Sequence, residues 1–209
     1  MKGHKLRKPI LLLLLILGIA GHSLAQDEES RIGIKAGFTL SNFYVDEIDD
    51  QNPRYGGHFG LFAKTSVTNL LGFQSELLFS TKGANYDMSF LAYNWETQLN
   101  MNYIEVPLMV AIHLGDNVDV LGGVYGGYLL NVSASTSGDT DENYEELERD
   151  NFDPLDYGLV GGIEFKLNPL ILGIRYHYGL QGIGNEGWAE EYLGDAKHSA
   201  LQLSAGIAF

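Results

Sequence analysis

From residue 32 onward the chain alternates apolar and polar positions with a period of two, the signature of strands with one apolar face. Ile32, Ile34, Ala36, Phe38 and Leu40 fall on one face of the first run, and Gly33, Lys35, Gly37, Thr39 and Ser41 on the other. The pattern recurs over Gly57 to Val67, Leu71 to Lys82, Asn102 to Leu114, Val118 to Val132 and Asp156 to Lys166. It recurs again around Leu172 to Gly179 and over Ala200 to Phe209. That predicts eight strands of about 10 to 14 residues each. Strands of soluble proteins usually have about 5 or 6 residues, whereas a tilted strand crossing a bilayer needs about 9 to 11.

The predicted connections alternate in length. Thr68-Asn69-Leu70, Gly115-Asp116-Asn117 and Leu167-Asn168-Pro169 are tight turns. Phe43 to Gly56, Gly83 to Glu96, Ser133 to Leu155 and Leu180 to Ala196 read as long polar loops. An even strand number with short turns at one end and long loops at the other predicts an all-β fold. It is an eight-stranded antiparallel up-and-down transmembrane β-barrel with short periplasmic turns and long extracellular loops.

Alternation alone does not say which face is inside. A soluble lipocalin-like barrel binding an apolar ligand would turn the apolar face inward. The polar face here carries only about one charge per strand and many glycines, against roughly a quarter to a third charged residues on a soluble exterior. It suits a narrow lumen, where eight strands leave room only for side chains. Gly123, Gly127, Gly158, Gly162 and Gly173 would let neighbouring strands curve and fit. Charges in such a lumen need partners. Lys35, Lys64, Lys82, Lys166 and Arg175 can oppose Glu76, Glu105, Asp119 and Glu164, so an ion-pair network is expected. Its central members are Lys35, Lys64, Glu76, Glu105, Glu164 and Arg175. Tyr157, Tyr176, Tyr178 and Trp95 are placed as an interfacial aromatic girdle.

The N-terminus needs separate treatment. Lys2, Lys5, Arg7 and Lys8 precede a nearly unbroken apolar run from Ile10 to Ala20, and Ser23-Leu24-Ala25 supplies small residues before a cleavage point. This is the pattern of a secretory signal peptide over 1–25, cut between Ala25 and Gln26, leaving 26–209 as one barrel domain. The apolar run of about 11 residues is too short for a spanning helix, which needs about 20.

The formal charge is −14, and loss of the signal leaves nine basic against 27 acidic residues. Nucleic acid is thereby excluded as an expected partner, since binding it requires a basic face. The acidic residues cluster in Asp46 to Asp50, Asp139 to Asp156 and Glu186 to Asp195. With no cysteine there is no disulfide, thiolate metal site or acylated-cysteine anchor. Asp139, Asp141, Asn143 and Glu145 alternate as in a calcium loop and Asp150 stands twelfth, but Tyr144 occupies the position that requires glycine. A solvated acidic loop competes with that metal reading, and no cofactor is expected.

Four stretches, Gly33 to Phe38, Glu76 to Gly83, Tyr103 to Leu108 and Arg175 to Leu180, resemble the PorT-like outer-membrane β-barrel family of Bacteroidetes-type bacteria. The resemblance runs over nearly the whole chain after the signal. It implies a bacterial outer-membrane location, contact with outer-membrane lipid, and an envelope role; one family member is associated with secretion of proteins carrying a C-terminal sorting domain. Phe209 resembles the C-terminal aromatic that such barrels present to the barrel-assembly machinery. The expected function is non-enzymatic: a structural or accessory envelope role, through contact with secretion-complex proteins or through adhesion by the acidic loops. The alternatives are the soluble lipocalin-like binder and an outer-membrane barrel hydrolase using His58 or His198. No Gly-x-Ser-x-Gly or His-Glu-x-x-His pattern supports the hydrolase.

Overall fold

The computed structural model describes residues 30–44, 52–90, 93–138, 142–185 and 196–209. The signal segment and the Ala25–Gln26 junction lie outside them. The strands are β1 (Arg31–Tyr44), β2 (Asn52–Ser66), β3 (Leu71–Phe90), β4 (Tyr93–Leu114), β5 (Val118–Gly138), β6 (Glu142–Leu147), β7 (Leu155–Leu167), β8 (Leu170–Gly182) and β9 (Lys197–Ala208). β4-β3-β2-β1-β9-β8-β7-β5 form a sheet that closes through an added β4–β5 pairing, and every pair is antiparallel. The result is a closed eight-stranded barrel, with β6 paired to the upper part of β5, above the stretch that pairs with β7. Closure satisfies the strand edges that lipid could not.

The alternation of the sequence becomes an alternation of environment. Along β1, Ile34 is 50% exposed while its neighbour Lys35 is 6% exposed. Phe38, Phe59, Leu61, Leu159, Ile163, Ile174, Leu203 and Ile207 all stand outward, whereas Glu76, Lys82, Glu105, Glu164, Arg175 and Gln202 are buried inside. The soluble, apolar-inside arrangement is therefore inverted: the apolar band is the exterior. Tyr157, Tyr176 and Tyr178 also face outward; the side chain of Trp95 lies outside the described ones.

The strands exceed expectation on one side of the barrel. β3, β4 and β5 have 20, 22 and 21 residues. Most of the stretch read as a loop at Gly83 to Glu96 is a continuing β3–β4 ladder. The stretch read as a loop from Ser133 contains the end of β5, which pairs with β6 from Val132↔Leu147 to Ser137↔Glu142. Strands that rise past the bilayer have water on both faces, so their sequence need not alternate. After β6 a short 3-10 turn, Arg149–Asn151, leads Phe152 into the barrel mouth, where it is 1% exposed.

At the opposite end the turns are tight. The Thr68 hydroxyl oxygen accepts from the backbone N–H of Leu70 at 3.2 Å and Leu71 at 2.9 Å, a local side-chain turn typical of Ser and Thr. Asn117 and Lys166 tie two turns together, with the Asn117 amide donating to the Lys166 carbonyl at 3.0 Å and the Lys166 N–H to the Asn117 carbonyl at 2.8 Å. The chain end closes on its start: the Phe209 N–H donates to the Ile32 carbonyl at 2.7 Å, and the Phe209 ring faces outward.

Candidate functional site: the filled lumen and its vestibule

Inward positions on seven strands converge in the lower lumen. Arg175 of β8 grips Glu76 of β3 with two hydrogen bonds of 2.7 Å and also pairs with Glu164 of β7. Lys35 of β1 lies 3.1 Å from Glu76 and 3.3 Å from Glu164. Lys64 of β2 joins Glu164 at 3.2 Å to Asp119 of β5 at 2.5 Å. Lys166 reaches the other Asp119 oxygen at 2.8 Å, and His113 Nδ1 lies 2.7 Å from that same oxygen. The Gln74 amide donates to Glu76 at 2.7 Å and to Glu164 at 3.1 Å. Each acid thus faces several cations or donors, the condition under which buried charges are tolerated.

A second cluster lies above the first. Lys82 pairs with Glu105, and with Asp156 at 2.9 Å. Its ammonium sits 4.4 Å from the centre of the Tyr125 ring, within the range of a cation–π contact. The Tyr125 hydroxyl donates to Asp156 at 3.1 Å. Five of the six residues singled out from the sequence, Lys35, Lys64, Glu76, Glu164 and Arg175, meet in the lower cluster. Glu105 belongs to the upper one. Asp156 and Gln74, absent from the expected set, are integral members.

Above the charges the lumen is closed by apolar side chains. Phe43, Leu99, Met101, Leu129, Val132, Phe152 and Ile183 form one buried group. Backbone hydrogen bonds hold the inward loop there: Asp153 N–H to the Ile183 carbonyl at 2.9 Å, and Asn185 N–H to the Asn151 carbonyl at 3.0 Å. Below the charges the barrel is open. A vestibule of about 690 Å³ is lined by Arg31, Lys64, Ser66, His113, Asp119 and Lys166 and ringed by the tight turns.

The histidines proposed for hydrolysis are enclosed. His58 shares a 3.0 Å hydrogen bond with the Thr39 hydroxyl, and His198 Nε2 one of 3.0 Å with the Tyr103 hydroxyl. Both imidazoles are at most 3% exposed. Of the metal candidates, Asp139, Asp141 and the Asn143 side chain lie outside what is described, and Asp150 is exposed in the 3-10 turn. Among the described residues no group of acids and histidines converges as a metal site.

No curated protein matches the chain. Solved structures that resemble it are outer-membrane proteins of low identity. Ail, the attachment invasion locus protein of Yersinia pestis, is 15% identical with a TM-score of 0.48, covering 87% of this chain and 99% of that one. Neisserial surface protein A is 11% identical with a TM-score of 0.48, covering 87% and 98%. OprG of Pseudomonas aeruginosa is 13% identical with a TM-score of 0.42, covering 86% and 96%. The family model described as an outer membrane protein beta-barrel domain matches residues 24–184. The chain belongs to this outer membrane protein beta-barrel family, and it resides in the bacterial outer membrane.

Proposed function

We propose that the protein is a sealed, non-catalytic barrel that anchors a surface-raised β-sheet and acts through contacts of that sheet and its acidic loops. The observation that carries this reading is the filled lumen. Two stacked ion-pair clusters and the apolar group around Phe152 occupy the interior in succession. A conducting pore needs a continuous wet path, as in barrels of about 16 strands or more. The long β3–β4–β5 wall with β6 at its margin gives the surface part a folded scaffold. Adhesion to a partner is the role such a scaffold suits. Planar-bilayer recording tests the reading: the wild-type protein inserts without a sustained open-channel current, and a stable conductance would overturn it.

The vestibule favours a second contact, with an envelope or secretion-complex protein on the periplasmic side, in keeping with the PorT-like resemblance of its strands. The tight turns around Asn69, Asp116 and Asn168 frame an opening of about 690 Å³. A photo-crosslinker at Asn69 should capture such a protein in native envelopes. Capture of nothing but lipid would remove this second reading. Recognition of Phe209 by the assembly machinery is part of the same proposal.

A further inference from the structure

The vestibule below the lower cluster is blind. The ion pairs of Lys35, Lys64 and Arg175 with Glu76 and Glu164 close its inner end, and only the mouth framed by the tight turns is open. The bore of an eight-stranded barrel leaves room for side chains alone. A polypeptide can therefore enter by its end, but not as a doubled chain.

The charges nearest the mouth are mostly cations. Glu76, Glu164 and Asp119 have side chains at most 1% exposed, behind the basic groups that pair with them. In front of them the Lys166 side chain is 22% exposed, and Arg31 is exposed. Asp116, in the turn between β4 and β5, is the other acid of the lining among the described residues.

Arg31 has the more telling position. It stands on the inward face of β1, in alternation with the outward Ile32 and Ile34, and its cross-strand partner on β2 is Lys64. Like charges directly opposite one another on a sheet face repel. Lys64 is compensated by Asp119 and Glu164. Arg31 forms no ion pair with any described residue, neither with Asp116 nor with the Phe209 carboxylate. Its planar fork of donors matches a carboxylate held by two parallel hydrogen bonds, and such an anion would also relieve the repulsion from Lys64.

Deeper in, Phe62 and Ile171 belong to a buried apolar group and line the same cavity, a seat for one apolar side chain beside the charge. The volume of about 690 Å³ falls in the range of pockets that enclose small ligands, about 300–1,000 Å³. A chain end with a free carboxylate and an apolar last residue suits the bore, the charge and the floor together. An amino terminus would instead bring a further positive charge to Arg31 and Lys166.

We propose that the vestibule binds the C-terminal carboxylate of a periplasmic polypeptide entering end-on, with Arg31 on the carboxylate and Phe62 and Ile171 around the last side chain. The inference rests on the periplasmic contact proposed above and names the part of the partner that the cavity takes.

The probes are the tetrapeptide Gly-Ser-Ala-Leu with a free C-terminus, the same peptide as its C-terminal amide, and inorganic phosphate as competitor. Each peptide carries an uncharged coumarin on its N-terminus, and anisotropy is read on the barrel purified from its membranes into zwitterionic detergent. The free acid should bind about tenfold tighter than the amide or better, the scale of a charge-assisted hydrogen bond. Arg31→Gln, at an exposed position where β1 begins, should keep heat-modifiable migration and bring the acid down to the affinity of the amide. Ser66→Trp, which fills the cavity from its β2 wall, should lose both peptides. Neutralising the acids that precede β1, with Asp27→Asn, Glu28→Gln and Glu29→Gln together, should leave the ratio of acid to amide unchanged. Equal binding of acid and amide by the wild-type protein, or binding of neither, would overturn the proposal. So would a Ser66→Trp barrel that binds the acid as well as the wild type. An acid that binds only the neutralised variant would give the site to the chain's own Asp27-Glu28-Glu29 segment, and phosphate that displaces the acid at equal concentration would make Arg31 a general anion site; either result would also overturn it. Protein capture by the crosslinker at Asn69 together with equal binding of acid and amide would leave the periplasmic contact standing and this inference refuted.

Discussion

Glu76→Gln removes one charge from the most connected acid of the lumen while keeping its shape. In the wild-type barrel Glu76 accepts two hydrogen bonds of 2.7 Å from Arg175, one of 2.7 Å from Gln74 and one of 3.1 Å from Lys35. The lower cluster holds four cations, Lys35, Lys64, Lys166 and Arg175, against the three acids Glu76, Glu164 and Asp119. Losing Glu76 leaves Glu164 and Asp119 to balance all four. Breaking a buried pair from one side costs about 3–5 kcal/mol, and two charge-assisted bonds to Arg175 at about 1.5–3 kcal/mol each give about 3–6 kcal/mol. With a urea slope of about 2 kcal/mol/M, a loss of about 4 kcal/mol lowers the unfolding midpoint by about 2 M. The assay is urea unfolding in lipid vesicles, read by tryptophan fluorescence and heat-modifiable migration. A cycle with Arg175→Met separates the pair from other effects: the double variant should recover part of the loss, with a coupling of about 1.5 kcal/mol or more. A midpoint within about 0.5 M of wild type for Glu76→Gln, equivalent to about 1 kcal/mol, would refute the idea that the cluster is a stabilising plug.

Further outcomes follow from other sites. Gly123→Val should block barrel formation, because a Cβ there would run into the Leu108 carbonyl and come within 2.8 Å of the Met109 Cα. Gly122→Val, one residue away and facing open space, should migrate and unfold like wild type in the same assay. Deletion of Phe209 removes an exposed ring and the N–H that bonds Ile32; outer-membrane levels in pulse-labelled cells should fall several-fold while export continues. Mass spectrometry of the intact protein from native membranes should give a chain starting at Gln26.

The barrel was legible because a bilayer imposes one rule on every strand: outward positions meet lipid and inward ones do not. That rule wrote itself into Ile32, Ile34 and Phe38 against Lys35 and Thr39, and it fails where the bilayer ends. Ser133 to Ser137 have no apolar row, so their pairing was hidden and they read as a loop; past Gly83 the apolar Ala84, Tyr86, Met88 and Phe90 do alternate, but the Asn, Asp and Ser between them are turn-forming residues and read as a loop. The lumenal charges could be named from the alternation, but not grouped. Lys35 meets Glu164, 129 residues away, through the stagger of strands around the ring, and the same stagger carries Glu105 to Lys82 instead of to Arg175. Arg31 was passed over because the strand pattern was read from Ile32 onward. Phe152, the one phenylalanine in an acidic stretch, was the available sign that part of that stretch turns inward.

The absence of cysteine makes the apolar exterior and filled polar interior of the membrane-spanning barrel directly measurable. Single cysteines at positions 32, 34 and 38 and at positions 33, 39 and 41 of β1 would carry spin labels in outer-membrane vesicles, with accessibility to oxygen and to a water-soluble nickel chelate recorded for each. Ile32→Cys, Ile34→Cys and Phe38→Cys should favour oxygen, the reagent that partitions into lipid. Gly33→Cys, Thr39→Cys and Ser41→Cys should be shielded from both reagents or block assembly. High access of the chelate at the first three positions would contradict the apolar exterior, because those faces would then lie in water.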